Sequence, residues 1–143
     1  MKNKTIITGG AGFIGTELIK RLKNKTDLNI ANKKKNNKII NKFKKLKIRN
    51  IEGDLIDENF SKKIYKNAKT IFHLAGIVKV PSTDINLDIK KEKKIFNEAI
   101  KIIKNLIKFT NNKTLIIFPS THLIFENCER NRVVFTEKSK TLL

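Results

Sequence analysis

The run Thr8-Gly9-Gly10-Ala11-Gly12-Phe13-Ile14-Gly15 constrains this chain more than any other feature, because of what flanks it. Before it, Lys4 to Thr8 reads as a short buried strand. After it, Thr16 to Lys23 carries Leu18, Ile19 and Leu22 at helical spacing. Glycines at 9, 12 and 15 between a strand and a helix each have a physical task. One permits a tight turn, one lets backbone approach a pyrophosphate, and one lets helix and strand pack closely. The helix start then offers unpaired N–H groups and a positive dipole end to phosphate. Gly9, Gly12, Phe13, Ile14 and Gly15 are therefore candidate dinucleotide-binding residues.

The rest of the chain continues the alternation. Residues 27 to 31 and 47 to 51 read as second and third strands, separated by a Lys/Asn stretch, 32 to 45, in which Ile39, Ile40 and Phe43 give a weak helical face. A helix near 57 to 67 points Phe60, Ile64 and Tyr65 inward, and Thr70 to Leu74 is a fourth strand. One long helical pattern runs from about 84 to 110 with a broad apolar stripe through Ile95, Phe96, Ala99, Ile100, Ile103, Leu106 and Ile107. Leu115 to Phe118 is a fifth strand, all apolar and so expected to be buried on both faces. Strands alternating with helices imply βαβ units with right-handed crossovers. The expected fold is a Rossmann-type, doubly wound α/β domain with a parallel sheet of order 3-2-1-4-5. At 143 residues the chain is one domain.

Composition excludes several function classes. No run of about 18 apolar residues, the length that could span a membrane, occurs in the sequence, and no signal-peptide pattern precedes the first strand, so a cytoplasmic protein is expected. A single cysteine, Cys128, with only His73 and His122 beside it, gives neither a disulfide nor a metal-ligand spacing. The net charge of +19 suggests a nucleic-acid partner, but Lys (28), Ile (23) and Asn (17) together fill 68 of 143 positions, a bias toward A/T-rich codons. Arginine, the residue that reads base edges, occurs only 4 times, so no specific nucleic-acid binding is expected.

Thr8-Gly9-Gly10-Ala11-Gly12-Phe13-Ile14-Gly15 resembles the opening TGGxGFIG of the extended short-chain dehydrogenases, the NAD-dependent epimerase/dehydratase family acting on nucleotide sugars. Gly53-Asp54-Leu55 is similar to that family's G-D-[LIV], which implies that Asp54 meets the adenine amino group beside Leu55. Phe72-His73-Leu74-Ala75-Gly76 is similar to its HLAA or HFAG segment, which implies that Leu74, Ala75 and Gly76 lie along the ribose and nicotinamide side. Phe118-Pro119-Ser120-Thr121-His122-Leu123-Ile124-Phe125 resembles S-S-x-x-V-Y-G and puts Thr121 at the position of the catalytic Ser/Thr. The likeness covers about residues 4 to 137. It implies NAD or NADP as cofactor, a nucleotide-sugar substrate, and homodimers of the kind common in the family.

There are departures. The acidic residue that grips the ribose 2′-hydroxyl about twenty residues past the glycines is replaced by Ala31-Asn32, followed by Lys33, Lys34 and Lys35. Asn32 and Lys33 thereby become the candidate ribose-side residues, and a 2′-phosphate enters consideration. The Asn and Gly of the family's N-V-x-G-T are absent around Asp88, Phe125 stands in place of Tyr, and Glu126 in place of Gly. The family's Tyr-x-x-x-Lys pair is missing: the one tyrosine, Tyr65, precedes Lys69 on a different helix. Phe135 to Ser139 resembles the segment just before the catalytic Tyr. The resemblance therefore implies the N-terminal, cofactor-binding portion of a longer epimerase, dehydratase or reductase, inactive by itself. A non-catalytic dinucleotide-binding module and, behind it, a basic nucleic-acid binder are the alternatives.

Overall fold

The computed structural model describes residues 3–33, 41, 43–76 and 89–120. Five strands, β1 (Lys4–Thr8), β2 (Asp27–Asn32), β3 (Arg49–Glu52), β4 (Thr70–His73) and β5 (Leu115–Ile117), form one sheet of order β3-β2-β1-β4-β5. All its pairings are parallel. Three helices alternate with them: α1 (Phe13–Leu22), α2 (Glu58–Tyr65) and α3 (Ile89–Phe109). A further helical turn at 43–45 leads into β3. The sheet order matches the sequence expectation, and the reversal of direction falls between β1 and β4, the place where open α/β sheets leave a crevice beyond the strand carboxyl ends.

The strand sequences dictate the two faces. Successive side chains in β1 point opposite ways, so Ile6 joins Ala31, Leu55, Ile64, Tyr65, Ile71 and Leu106 on one face. Ile7 joins Ile19, Leu28, Ile30, Phe43 and Ile48 on the other. The helix ends follow from local chemistry. Asp57 caps α2 by accepting from the Phe60 N–H at 2.6 Å, which satisfies one of the donors a helix start leaves unpaired. At the other end of α2 the Lys4 ammonium donates to the carbonyls of Ile64 (3.0 Å) and Lys66 (2.7 Å), a cation at the negative end of the helix dipole.

Two expectations are corrected. The all-apolar β5 is not buried: Leu115 is 59% and Ile117 38% exposed. It is the sheet's edge strand and, among the described residues, pairs with β4 only. An apolar run reports what a strand could bury, and the neighbour that would bury it is not in the run. The broad stripe on α3 is likewise only partly inward. Leu106 is buried and Ile103 packs on the core, whereas Phe96, Ile100 and Ile107 face outward. The inward line is rotated toward Ile102, Asn105 and Phe109, and so includes a polar residue that the stripe leaves out.

Candidate functional site

The glycine turn is held by backbone. Gly9 has φ +69°, the left-handed region, and its N–H donates to the Ala31 carbonyl at 2.9 Å while its own carbonyl accepts from the Gly12 N–H at 2.9 Å. A Cβ at Gly9 would lie 2.8–2.9 Å from the backbone of Leu74 and Ala75, and one at Gly15 would lie 2.6 Å from Gly10 Cα. The turn is therefore pressed between the segment after β4 and the first coil of α1. Gly12, the N-cap of α1, carries no side chain to close the helix start, and the first turn has no acidic residue. The N–H groups of that turn and the positive end of the dipole remain available to an anion.

At the end of β2, Asn32 is committed at both ends of its amide. Its Oδ1 accepts from the Ala11 N–H at 2.9 Å, and its Nδ2 donates to Asn50 Oδ1 at 2.7 Å. The residue expected on the ribose side thus also braces the glycine turn. Lys33 follows it and forms an ion pair with Asp54 at 2.8 Å. The hydrogen bond to Asp54 raises the Lys33 pKa. For Asp54, burial pushes the carboxyl up, but the Lys33 ammonium and the Ile56 N–H outweigh it and hold the group below its ordinary value.

Thr8, at the end of β1, bridges the turn to the segment that follows β4. Its hydroxyl accepts from the Ala75 N–H at 3.2 Å and lies 3.1 Å from His73 Nδ1. The hydroxyl has one proton and two lone pairs, so it donates to a bare Nδ1 or accepts from an Nδ1–H according to the imidazole tautomer. His73 is 2% exposed and its ring stacks on Phe118 at 5.4 Å. Burial lowers its pKa to about 4, so it is neutral at pH 7.

These segments enclose a cleft of about 440 Å³. It gathers Gly9, Gly12, Asn32, Lys33, Asp54, Leu55, Leu74, Ala75 and Gly76 from four separate stretches of chain. Gly15 is buried under the turn, and the side chains of Phe13 (89% exposed) and Ile14 project away from the core. Thr121 lies outside the described residues, as do Lys34, Lys35 and Asp88. Sequence reasoning missed the wall supplied by α3, where Glu98 and Ile102 line the cleft. Asn105, 3% exposed, sits one turn further along the same face. The signal was available: 98, 102 and 105 stand at i, i+4 and i+7, one face of a helix. Among the described residues no cluster of His, Cys, Asp and Glu could hold a metal ion, and no helix is long and apolar enough to cross a membrane.

Comparison with known proteins agrees with this fold. Among solved structures, UDP-glucose-4-epimerase from Stenotrophomonas maltophila, with bound NAD and formylated UDP-arabinopyranose, superposes with a TM-score of 0.74 at 16% identity, over 99% of this chain and 43% of that one. UDP-N-acetylglucosamine 4-epimerase from Methanobrevibacter ruminantium gives 0.73 at 23% identity, over 99% and 45%. Uronate dehydrogenase from Agrobacterium tumefaciens gives 0.59 at 20%, over 83% and 41%. At such identities the likeness is one of fold, and the chain spans less than half the length of each of these proteins. No curated protein matches it. The profile of the 3-beta hydroxysteroid dehydrogenase/isomerase family matches residues 6–141. From the glycine turn to the far end of that match, then, the chain belongs to the 3-beta hydroxysteroid dehydrogenase/isomerase family, within the extended short-chain dehydrogenases.

Proposed function

We propose that this chain is the NAD(P)-binding portion of an enzyme that oxidises or reduces a carbon of a nucleotide sugar, as an epimerase, dehydratase or reductase does. One observation carries the reading: a glycine turn pressed against the Leu74–Ala75 segment, and an uncapped helix start, open on a cleft whose far side presents Asp54. The cradle fits a dinucleotide. Side chains at Gly9 and Gly15 are excluded by backbone contacts, whereas Gly12 is exposed and meets nothing closer than the Gly9 carbonyl at 3.2 Å. Room is left where a pyrophosphate would approach.

In this reading the N–H groups of Phe13 and Ile14 bind the pyrophosphate, Asp54 accepts from the adenine amino group beside Leu55, and Asn32 and Lys33 face the adenosine ribose. Leu74, Ala75 and Gly76 border the nicotinamide side, and Thr121 donates a hydrogen bond to the reacting oxygen. The nicotinamide, when bound, supplies the hydride acceptor or donor. The chain's part is to orient it, with Thr8 locking the Leu74–Ala75 segment to β1. The nucleotide sugars named with the two epimerase structures support the substrate class. The family's own name points to a secondary alcohol on a steroid, and hydride transfer at such a carbon is common to both. The reading extends to a homodimer and a cytoplasmic location.

Fluorescence titration with NADH and NADPH tests the reading, and failure of both to bind ends it. Lys33 is the residue to vary for the ribose side. Lys33→Ala is expected to weaken NADPH about fivefold, the size of one largely exposed charge contact, and to leave NADH within about twofold. Equal effects on the two would remove Lys33 from the 2′-phosphate site.

A further inference from the structure

We propose that Asn105 is a positioning residue that sets the orientation of the Asp54 carboxylate, and with it the discrimination of the cofactor's base. The amide of Asn105 reaches out of α3 into the loop after β3, donating from Nδ2 to the Leu55 carbonyl at 2.8 Å and to the Ile56 carbonyl at 3.1 Å. An amide nitrogen carries two hydrogens, so two consecutive carbonyls match it fully.

Each of those carbonyls belongs to a peptide unit whose other end is bonded to Asp54. The unit that begins at the Leu55 carbonyl ends at the Ile56 N–H, which donates to Asp54 Oδ1 at 3.1 Å. The unit that begins at the Ile56 carbonyl ends at the Asp57 N–H, which donates to the Asp54 carbonyl at 3.0 Å. Peptide units are planar, so fixing the carbonyl end fixes the N–H end. Asn105 thereby holds two rigid plates whose opposite edges grip one residue. Hydrogen bonds in series also strengthen one another. Ser61 adds a second donor to the Leu55 carbonyl at 2.8 Å, whereas among the described side chains it is Asn105 that holds the Ile56 carbonyl, so the second plate depends on Asn105.

The position on α3 links the loop to the cleft. Glu98 and Ile102 line the cleft from the same helix face on which Asn105 sits, and Lys108, one turn further on, pairs with Glu58 of α2 at 2.6 Å. The helix that walls the cleft is therefore the helix that aims Asp54. This inference rests on the reading above for its consequence, the acceptance of the adenine amino group by Asp54, while the positioning itself is testable without any ligand.

Asn105→Leu keeps the approximate size and removes both donors. Ser61→Ala, a milder change, removes one donor from Leu55 alone. In the full chain without ligand, amide exchange by NMR should accelerate about tenfold at Ile56 and Asp57 in Asn105→Leu, and at Ile56 but not Asp57 in Ser61→Ala, with Gly9 and Gly12 unchanged in both. In parallel, the preference for NADH over reduced nicotinamide hypoxanthine dinucleotide, which lacks the adenine amino group, should fall toward unity in Asn105→Leu. Uniform acceleration at all amides, or none at Ile56 and Asp57, overturns the positioning role; if Asn105→Leu does not fold, Asn105→Ala, read by the same exchange pattern, takes its place. An unaltered preference with the exchange change present overturns the link to base discrimination. Failure of the unaltered chain to bind NADH defeats the functional reading and leaves the exchange result standing.

Discussion

Alanine in place of Gly9 is expected to destabilise the chain by ~4 kcal/mol and to abolish dinucleotide binding. Two independent penalties combine. The residue sits at φ +69°, where an L side chain costs roughly 1–2 kcal/mol. Its Cβ would also stand 2.8 Å from Ala75 N and 2.9 Å from Leu74 C. Those are backbone atoms that no rotamer change can move, so the overpacking falls at the upper end of the usual range, about 3 kcal/mol. Relief requires the turn to part from the Leu74–Ala75 segment, and the bond from the Ala75 N–H to Thr8 Oγ1 would go with it. Domains are stable by only about 5–15 kcal/mol, so the variant should unfold at a much lower urea concentration. Gly12→Ala provides the contrast. Its Cβ meets only the Gly9 carbonyl at 3.2 Å, so stability should change by less than ~1 kcal/mol, while the new methyl stands where backbone must approach a pyrophosphate. Urea denaturation and NADH titration of both variants separate the two effects. Equal loss of stability in the two would contradict the geometry.

Acid should weaken the fold in a window set by His73. Its pKa is depressed by burial from 6.5 to about 4, so between these values the unfolded chain binds the proton that the folded chain refuses. Stability from this group is complete above about pH 6.5 and is lost progressively as the pH falls toward 4, by a total of ~3 kcal/mol. The local chemistry explains why the folded state resists. His73 is 2% exposed and has the neutral Thr8 hydroxyl at 3.1 Å from Nδ1, so a charged ring would lose hydration that the site does not replace. His73→Gln offers an amide oxygen to Thr8 and has no titration in this range. Urea midpoints at pH 7, 5.5 and 4.5 should fall steeply for the unaltered chain and much less for the variant. Parallel curves would assign the acid sensitivity to other groups.

How much of this could be read from residues alone varied with the kind of signal. The sheet order was legible because alternating strand and helix patterns, right-handed crossovers and a glycine turn leave few topologies open. Gly9, Gly12, Asp54 and Leu74 to Gly76 were legible because they stand at the carboxyl ends of strands, where such a fold must place a ligand. The α3 wall was not. A long helix with Ile, Phe and Leu on most of its circumference offers several plausible inward faces, and the face that packs is decided by α2 and the loop after β3. Asn105 carries no motif of its own, and its task is defined only by the two carbonyls it satisfies, which lie about fifty residues earlier in the chain. Burial of β5 was misjudged for the same reason, since the residues that cover a strand lie elsewhere in sequence.

The exposed β5 edge gives the charge a physical task. Leu115, Ile117 and Phe118 are 38–59% exposed, beside an edge that is open among the described residues. Such an edge is a template for pairing with a second chain. Copies that carry +19 each repel one another before their edges meet. That repulsion reaches about 10 Å at 0.1 M salt and only about 3 Å at 1 M. Colloidal behaviour should therefore be inverted relative to a protein held together by ion pairs: dispersed in dilute buffer, and increasingly associated as salt removes the mutual repulsion and the apolar edges come within reach.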